Sequence, residues 1–147
     1  MSISASIDFS FYSSQIKITP LRLIAILIEN GWVISDGCSK MYLPIGDVDD
    51  FDWQCSKTIS DEEIMQICEQ KFNHKEIIGL SLTWLNTAIG GDFLFYPNGK
   101  ISFLLNINRI ENNLTKLTDF QWYLEKTVPL FIKNNINIES VACYHHV

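Results

Sequence analysis

Four carboxylates crowd into six residues at Asp47, Asp49, Asp50 and Asp52, within the run Gly46-Asp47-Val48-Asp49-Asp50-Phe51-Asp52-Trp53. Asp61, Glu62 and Glu63 follow, and Lys57 is the one basic residue between Asp47 and Glu63. Acids this close raise one another's pKa. They are comfortable when solvated, bound to a cation, or docked on a basic surface. The cation reading fails on spacing. An EF-hand loop needs oxygen ligands at positions 1, 3 and 5, Gly at 6 and Glu at 12. Counted from Asp47, Phe51 stands at the fifth position, Asp52 at the sixth and Thr58 at the twelfth. A merely solvated turn has no need of the interleaved Val48, Phe51 and Trp53, unless these pin the loop to the core. Acids that steer a basic partner, with apolar residues that supply anchoring area, make a protein-docking loop. The expected partner-binding residues are Asp47, Asp49, Asp50 and Asp52 for charge and Phe51 and Trp53 as anchors, with Glu62 from the start of the next helix.

The other residue types capable of chemistry form no signature. Cys143-Tyr144-His145-His146 holds soft ligands, but a terminal segment with these alone is a poor metal site. Cys38, Cys55, Cys68 and Cys143 stand far apart with no CxxC pair, which argues against zinc. A disulfide framework is not expected at this chain length without a secretion signal, and Met1 to Ser14 has no basic head or apolar run. His74 reads as a surface residue near a helix C-terminus. Gly90-Gly91-Asp92 lacks the dinucleotide fingerprint, since no helix follows, and reads as a turn or bulge. Arg109 is expected to pair with nearby acids. No enzyme activity, metal or cofactor is expected.

The totals narrow the partner. The chain has 147 residues, 11 basic and 17 acidic, for a formal charge of −6. A net-negative surface disfavours nucleic acid and anionic membrane and favours a basic protein. Apolar residues make up 47% and aromatics 12% of the sequence, which is ample core material for one domain over residues 1–147. The longest apolar run, Leu23 to Ile28, is too short to span a bilayer. A reduced, soluble, cytoplasmic protein is expected.

The elements that must position the loop are legible from periodicity. Ile7, Phe9 and Phe11 alternate as a first strand. Thr19-Pro20 opens a helix with Ile24, Leu27 and Ile28 inward, stopped at Asn30-Gly31. Trp32 to Ile34 is a short strand. Met41 to Ile45 is a returning strand that Pro44 places at a sheet edge. Trp53 to Ser56 is a further short strand. Ser60 and Glu63 make a capping box for a second helix, with Ile64, Ile67, Cys68 and Phe72 on one stripe. Glu76 to Asn108 carries two or three antiparallel strands, turned at Tyr96-Pro97-Asn98-Gly99-Lys100. Ile78, Leu80, Leu82 and Trp84 alternate with Gly79, Ser81 and Thr83, as if one face were buried. A third helix starts at Thr118, with Gln121 completing its capping box, and Pro129 kinks it or ends it early. Ile136 to Tyr144 is the last strand. The fold class is α+β, a single mostly antiparallel sheet with about three helices packed on one face.

Several of these runs together resemble small immunity proteins of bacterial contact-dependent growth inhibition and related polymorphic toxin systems. They are Asn30-Gly31-Trp32, Tyr42-Leu43-Pro44, Gly46-Asp47 through Trp53, Ile89-Gly90-Gly91, Asn106-Ile107-Asn108-Arg109, and Asp119 with Trp122-Tyr123-Leu124. The resemblance spans Phe9 to Leu124. It implies a cytoplasmic inhibitor that binds a cognate toxin C-terminal domain, typically a basic nuclease, and blocks it without catalysis. Two other readings stay open. One is a small enzyme or ligand-binding domain with a pocket between the sheet and the third helix, using Arg109, His74 or Cys143. The other is an acidic nucleic-acid mimic aimed at a different nucleic-acid-binding protein.

Overall fold

The computed structural model describes residues 2–12 and 17–147. Its elements are β1 (Ser4–Phe11), α1 (Pro20–Glu29), β2 (Trp32–Ile34), β3 (Lys40–Tyr42), β4 (Gln54–Ser56), α2 (Asp61–Asn73), β5 (Ile78–Trp84), β6 (Gly90–Phe95), β7 (Ile101–Ile107), α3 (Phe120–Glu125), α4 (Val128–Lys133) and β8 (Ile138–His146). The eight strands form one antiparallel sheet in the order β4-β3-β5-β6-β7-β1-β8, with β2 also paired to β5. The fold is α+β.

Alternate strand residues build the main core. Ile7 and Phe9 on β1 stand opposite Phe103 and Ile101 on β7, Phe93 on β6 stands opposite Phe103, and Leu80 on β5 opposite Phe93. This apolar face packs under Leu23, Ile24 and Leu27 of α1, Ile64 and Cys68 of α2, Tyr123 of α3 and Phe131 of α4. Trp32 sits at the centre of an aromatic cluster, edge-on to Phe93 at 5.3 Å and Phe103 at 5.6 Å, and its indole N–H donates to the Lys126 carbonyl at 2.9 Å. That bond satisfies the one polar atom of a fully buried ring.

The helix starts follow the sequence. Thr19 accepts from the Arg22 N–H at 3.2 Å, and Ser60 from the Glu63 N–H at 3.0 Å. Four details differ from the sequence reading. First, the expected third helix is two six-residue helices, α3 and α4. The break comes at Lys126-Thr127, where Thr127 bonds back to the Tyr123 carbonyl and Pro129 falls in the first turn of α4, which tolerates its missing N–H. The N-cap of α3 is Asp119 with no side-chain bond, and the Thr118 hydroxyl is engaged elsewhere. Second, β3 is not an edge strand. It lies between β4 and β5, ends at Tyr42 before Pro44, and meets β5 only at Tyr42–Leu80. Third, β2 and β3 do not pair with each other; they line up along the same side of β5. Fourth, β5 is buried on both faces from Ile78 to Thr83. Leu43 and Trp53 lie over Gly79, where an added Cβ would stand 2.6 Å from Leu43 and 2.8 Å from Trp53. At Gly79 the second face is thus covered by Leu43, before the acidic loop, and by Trp53 at its end.

Gly90-Gly91 opens β6 at a register shift between Gly90 and Asp92, the bulge expected there. A Cβ on Gly91 would stand 1.7 Å from the Leu104 carbonyl oxygen, so only glycine fits.

Candidate acidic docking loop

The loop from Gly46 to Trp53 joins β3 to β4 and is built around one carboxylate. Asp47 is 5% exposed. Its Oδ1 accepts the backbone N–H groups of Asp50 and Phe51, each at 3.0 Å, and its Oδ2 accepts that of Asp52 at 2.7 Å. Short polar side chains bond readily to backbone a few residues on, which is how Asp organises a turn. Burial pushes this carboxyl's pKa up, but the three N–H donors and the nearby Lys71 ammonium outweigh it, and the net displacement is below the ordinary value. Asp47 therefore holds the loop from inside and is not a charge offered to a partner, as the sequence had suggested.

A lysine holds the loop from below. Lys71 is fully buried on α2. Its Nζ donates to the Pro44 carbonyl at 2.7 Å, the Asp47 carbonyl at 3.0 Å and Glu76 Oε1 at 3.0 Å. All three ammonium donors are used, the condition for a tolerable buried charge. Glu76 Oε1 also accepts the Gly46 N–H at 2.9 Å. Burial raises the Glu76 pKa, but this N–H bond and the Lys71 ammonium more than offset it and hold it below the ordinary value. Carboxylate, ammonium and loop carbonyls thus form one closed network between α2, β5's approach and the loop. Sequence reasoning missed Lys71 entirely. The available signal was its place on the helix: three residues after Cys68 and seven after Ile64, it lies inside the apolar stripe rather than opposite it.

The network presents a fixed tip. Asp49, Asp50 and Asp52 are exposed, as are Val48 and Phe51 at 58% and 42%. Phe51 adopts φ 52°, a left-handed conformation that costs an L-residue about 1–2 kcal/mol. Two of its neighbours in the turn are tied to Asp47, so the surroundings impose the strain, and its ring stands in solvent rather than in the core. Lys75, Leu85, Asn108, Lys116 and Asn135 also have positive φ, so what distinguishes Phe51 is its exposed ring on a braced loop. Trp53 does the opposite. It is half-buried over Gly79 and pins the loop to the sheet, so it is not an anchor free for a partner. Glu62 is exposed in the first turn of α2. It lies nine residues before Lys71, about 13 Å along the helix axis. It belongs to the far end of α2 from the loop's brace.

The remaining candidates are not brought together. Arg109 donates to the Thr118 hydroxyl at 2.8 Å and to Glu111 at 3.2 Å, the pairing expected of it. His145 Nδ1 lies 2.8 Å from the Thr118 hydroxyl and accepts the Thr118 N–H at 3.2 Å. His74 is exposed at the end of α2 against the Gln70 carbonyl. Cys143 is exposed on β8, with its pKa raised by burial of the sulfur. Burial also raises the Cys68 thiol, to about 12, despite the attraction of Lys71, so it stays protonated in the core. α2 packs against β5, and β8 is four strands further across, about 19 Å. Between the sheet and α3 the space is filled by Tyr123, Phe103 and Phe131. What stays open there is a shallow apolar groove against β8, lined chiefly by Leu124, Val128, Pro129 and Val141. Among the described residues, no three His, Cys, Asp or Glu side chains converge as metal ligands. No helix among them is long and apolar enough to cross a membrane.

Set beside known proteins, the chain matches no protein-family model, no curated protein and no solved structure.

Proposed function

We propose that this chain is a stoichiometric inhibitor that acts by docking, with the β3–β4 loop as its contact surface. More particularly, it is an immunity protein of a contact-dependent growth inhibition or related polymorphic toxin system, cytoplasmic, and its partner is a basic nuclease domain at the C-terminus of the cognate toxin. The observation that carries this reading is the loop itself. A buried carboxylate and a buried ammonium hold Asp49, Asp50, Asp52, Val48 and a strained Phe51 outward. Fixing a loop before contact lowers the entropy lost on binding. Three exposed acids steer a positively charged partner and speed its association, and the Phe51 ring supplies apolar area at the centre of the patch. Nuclease active sites are basic because they hold phosphate, so they complement such a tip. The resemblance noted in the sequence supports the same reading.

The test uses a tagged chain as bait in lysate of its native cells, at low and at high salt. A basic protein retained at low salt, released by salt, and carrying a nuclease activity that the added chain suppresses would support the reading. Repeated recovery of no stable partner would overturn it. With that partner in hand, the triple substitution Asp49→Asn, Asp50→Asn and Asp52→Asn should slow association at low salt and leave the folding stability unchanged. Unaltered association kinetics would remove the loop as the docking site.

A further inference from the structure

We infer that β8 is a self-association edge, through which two copies pair antiparallel and join their sheets into one. Among the described residues β8 pairs with β1 alone, so one side of this nine-residue strand offers free N–H and C=O groups. Proteins usually blunt such an edge with Lys, Pro, a bulge or a covering loop. The sequence Ile138-Glu139-Ser140-Val141-Ala142-Cys143-Tyr144-His145-His146 has no Lys, Arg or Pro, and its one irregularity, a register shift against β1 at Glu139, leaves Ser140 to His146 in unbroken pairing. The opposite edge, β4, is only three residues long and needs no such protection. The layer of helices also stops short of β8. Val141 and Cys143 lie opposite Phe9 and Ile7, which are 1% and 0% exposed, yet Val141 is 37% exposed and Cys143 is exposed too. Val141 forms one wall of the apolar groove under Leu124, Val128 and Pro129.

The strand is complementary to itself in one register. With the two-fold axis at Ala142, the unbroken run Ser140 to Tyr144 stands opposite itself. Val141 faces Cys143 twice, Ser140 faces Tyr144 twice, and the smallest side chain lies on the axis. Cross-strand partners share a face, so the exposed apolar Val141 meets Cys143 on the helix side, and no charged residue falls within the run. Pairing at β8 leaves the acidic loop free, because that loop leads into β4 at the other end of the strand order. A dimer would carry two docking tips at its far ends.

Light-scattering mass of the full chain, measured from low to high micromolar concentration, tests this. The expected result is a concentration-dependent rise to twice the 16.9 kDa of one chain. Val141→Lys should hold the mass at one chain with an unchanged circular-dichroism spectrum. The Ala142→Cys variant should give a disulfide between the two copies on mild oxidation, located by peptide mapping. A single-chain mass throughout, a dimer that Val141→Lys leaves intact, or a cross-link at other positions would overturn the inference.

Discussion

Replacing Lys71 by methionine keeps the length of the side chain and removes its ammonium. Three acceptors then lose their donor: the Pro44 carbonyl at 2.7 Å, the Asp47 carbonyl at 3.0 Å and Glu76 Oε1 at 3.0 Å. Removing one partner of a buried ion pair costs about 3–5 kcal/mol, because the remaining charge is left uncompensated. Two features place this case at the lower end. The Pro44 oxygen still accepts the Asp47 N–H at 3.2 Å, and Glu76 still accepts the Gly46 N–H. The Glu76 side chain is also 10% exposed, so water can reach it. The expected loss is therefore about 3 kcal/mol. A domain of ordinary stability, about 5–15 kcal/mol, remains folded after that loss. Urea denaturation followed by tryptophan fluorescence reads it directly. Adding Glu76→Gln to Lys71→Met should restore about 1 kcal/mol or more, since the stranded charge is gone. Amide exchange at Asp50, Phe51 and Asp52 should speed up in Lys71→Met, because the base of their loop is released. A loss under about 1 kcal/mol, or strict additivity of the two substitutions, would refute the bracing role.

Three further outcomes follow from the same geometry. Asp47 and Glu76 have folded-state pKa values below their ordinary 3.8 and 4.5, so their contribution is complete above about pH 4.5 and is lost as pH falls through the lowered values. Asp47→Asn should cost about 1–2 kcal/mol at neutral pH and flatten the acid limb of a stability–pH curve; an unchanged limb would contradict the assignment. Phe51→Gly relieves the positive φ, so the variant should lie between unchanged and about 1 kcal/mol more stable by urea titration while losing affinity for the partner. Equal affinity would mean that the ring is not an anchor.

The sequence revealed the fold well where a single rule decides local structure. Alternation marked β1 and the β5–β7 meander, and Thr19-Pro20 and Ser60 marked two helix starts. It failed where tertiary contacts decide. Pro44 reads as an edge signal, yet β3 stops two residues earlier and is enclosed by β4. Gly79, Ser81 and Thr83 read as a solvated face, but Leu43 and Trp53 close over Gly79, and nothing local to β5 announces them. The acidic loop was found from composition alone, while its internal division of labour was not. Asp47 differs from Asp49, Asp50 and Asp52 only in where the chain turns. Phe51 and Trp53 have like side chains, one strained outward and one seated on a glycine. Lys71 lies outside the run that drew attention, and only its position on the inner stripe of α2 betrays it.

The exposed acids of this loop are proposed to recognise a basic protein. The most direct measurement is retention of that protein by the chain and by its Asp49→Asn, Asp50→Asn, Asp52→Asn variant, side by side at low salt. The unsubstituted chain is expected to retain a basic nuclease, release it as salt rises, and silence it, while the variant captures it far more slowly. Equal capture by both, or capture indifferent to salt, would contradict it.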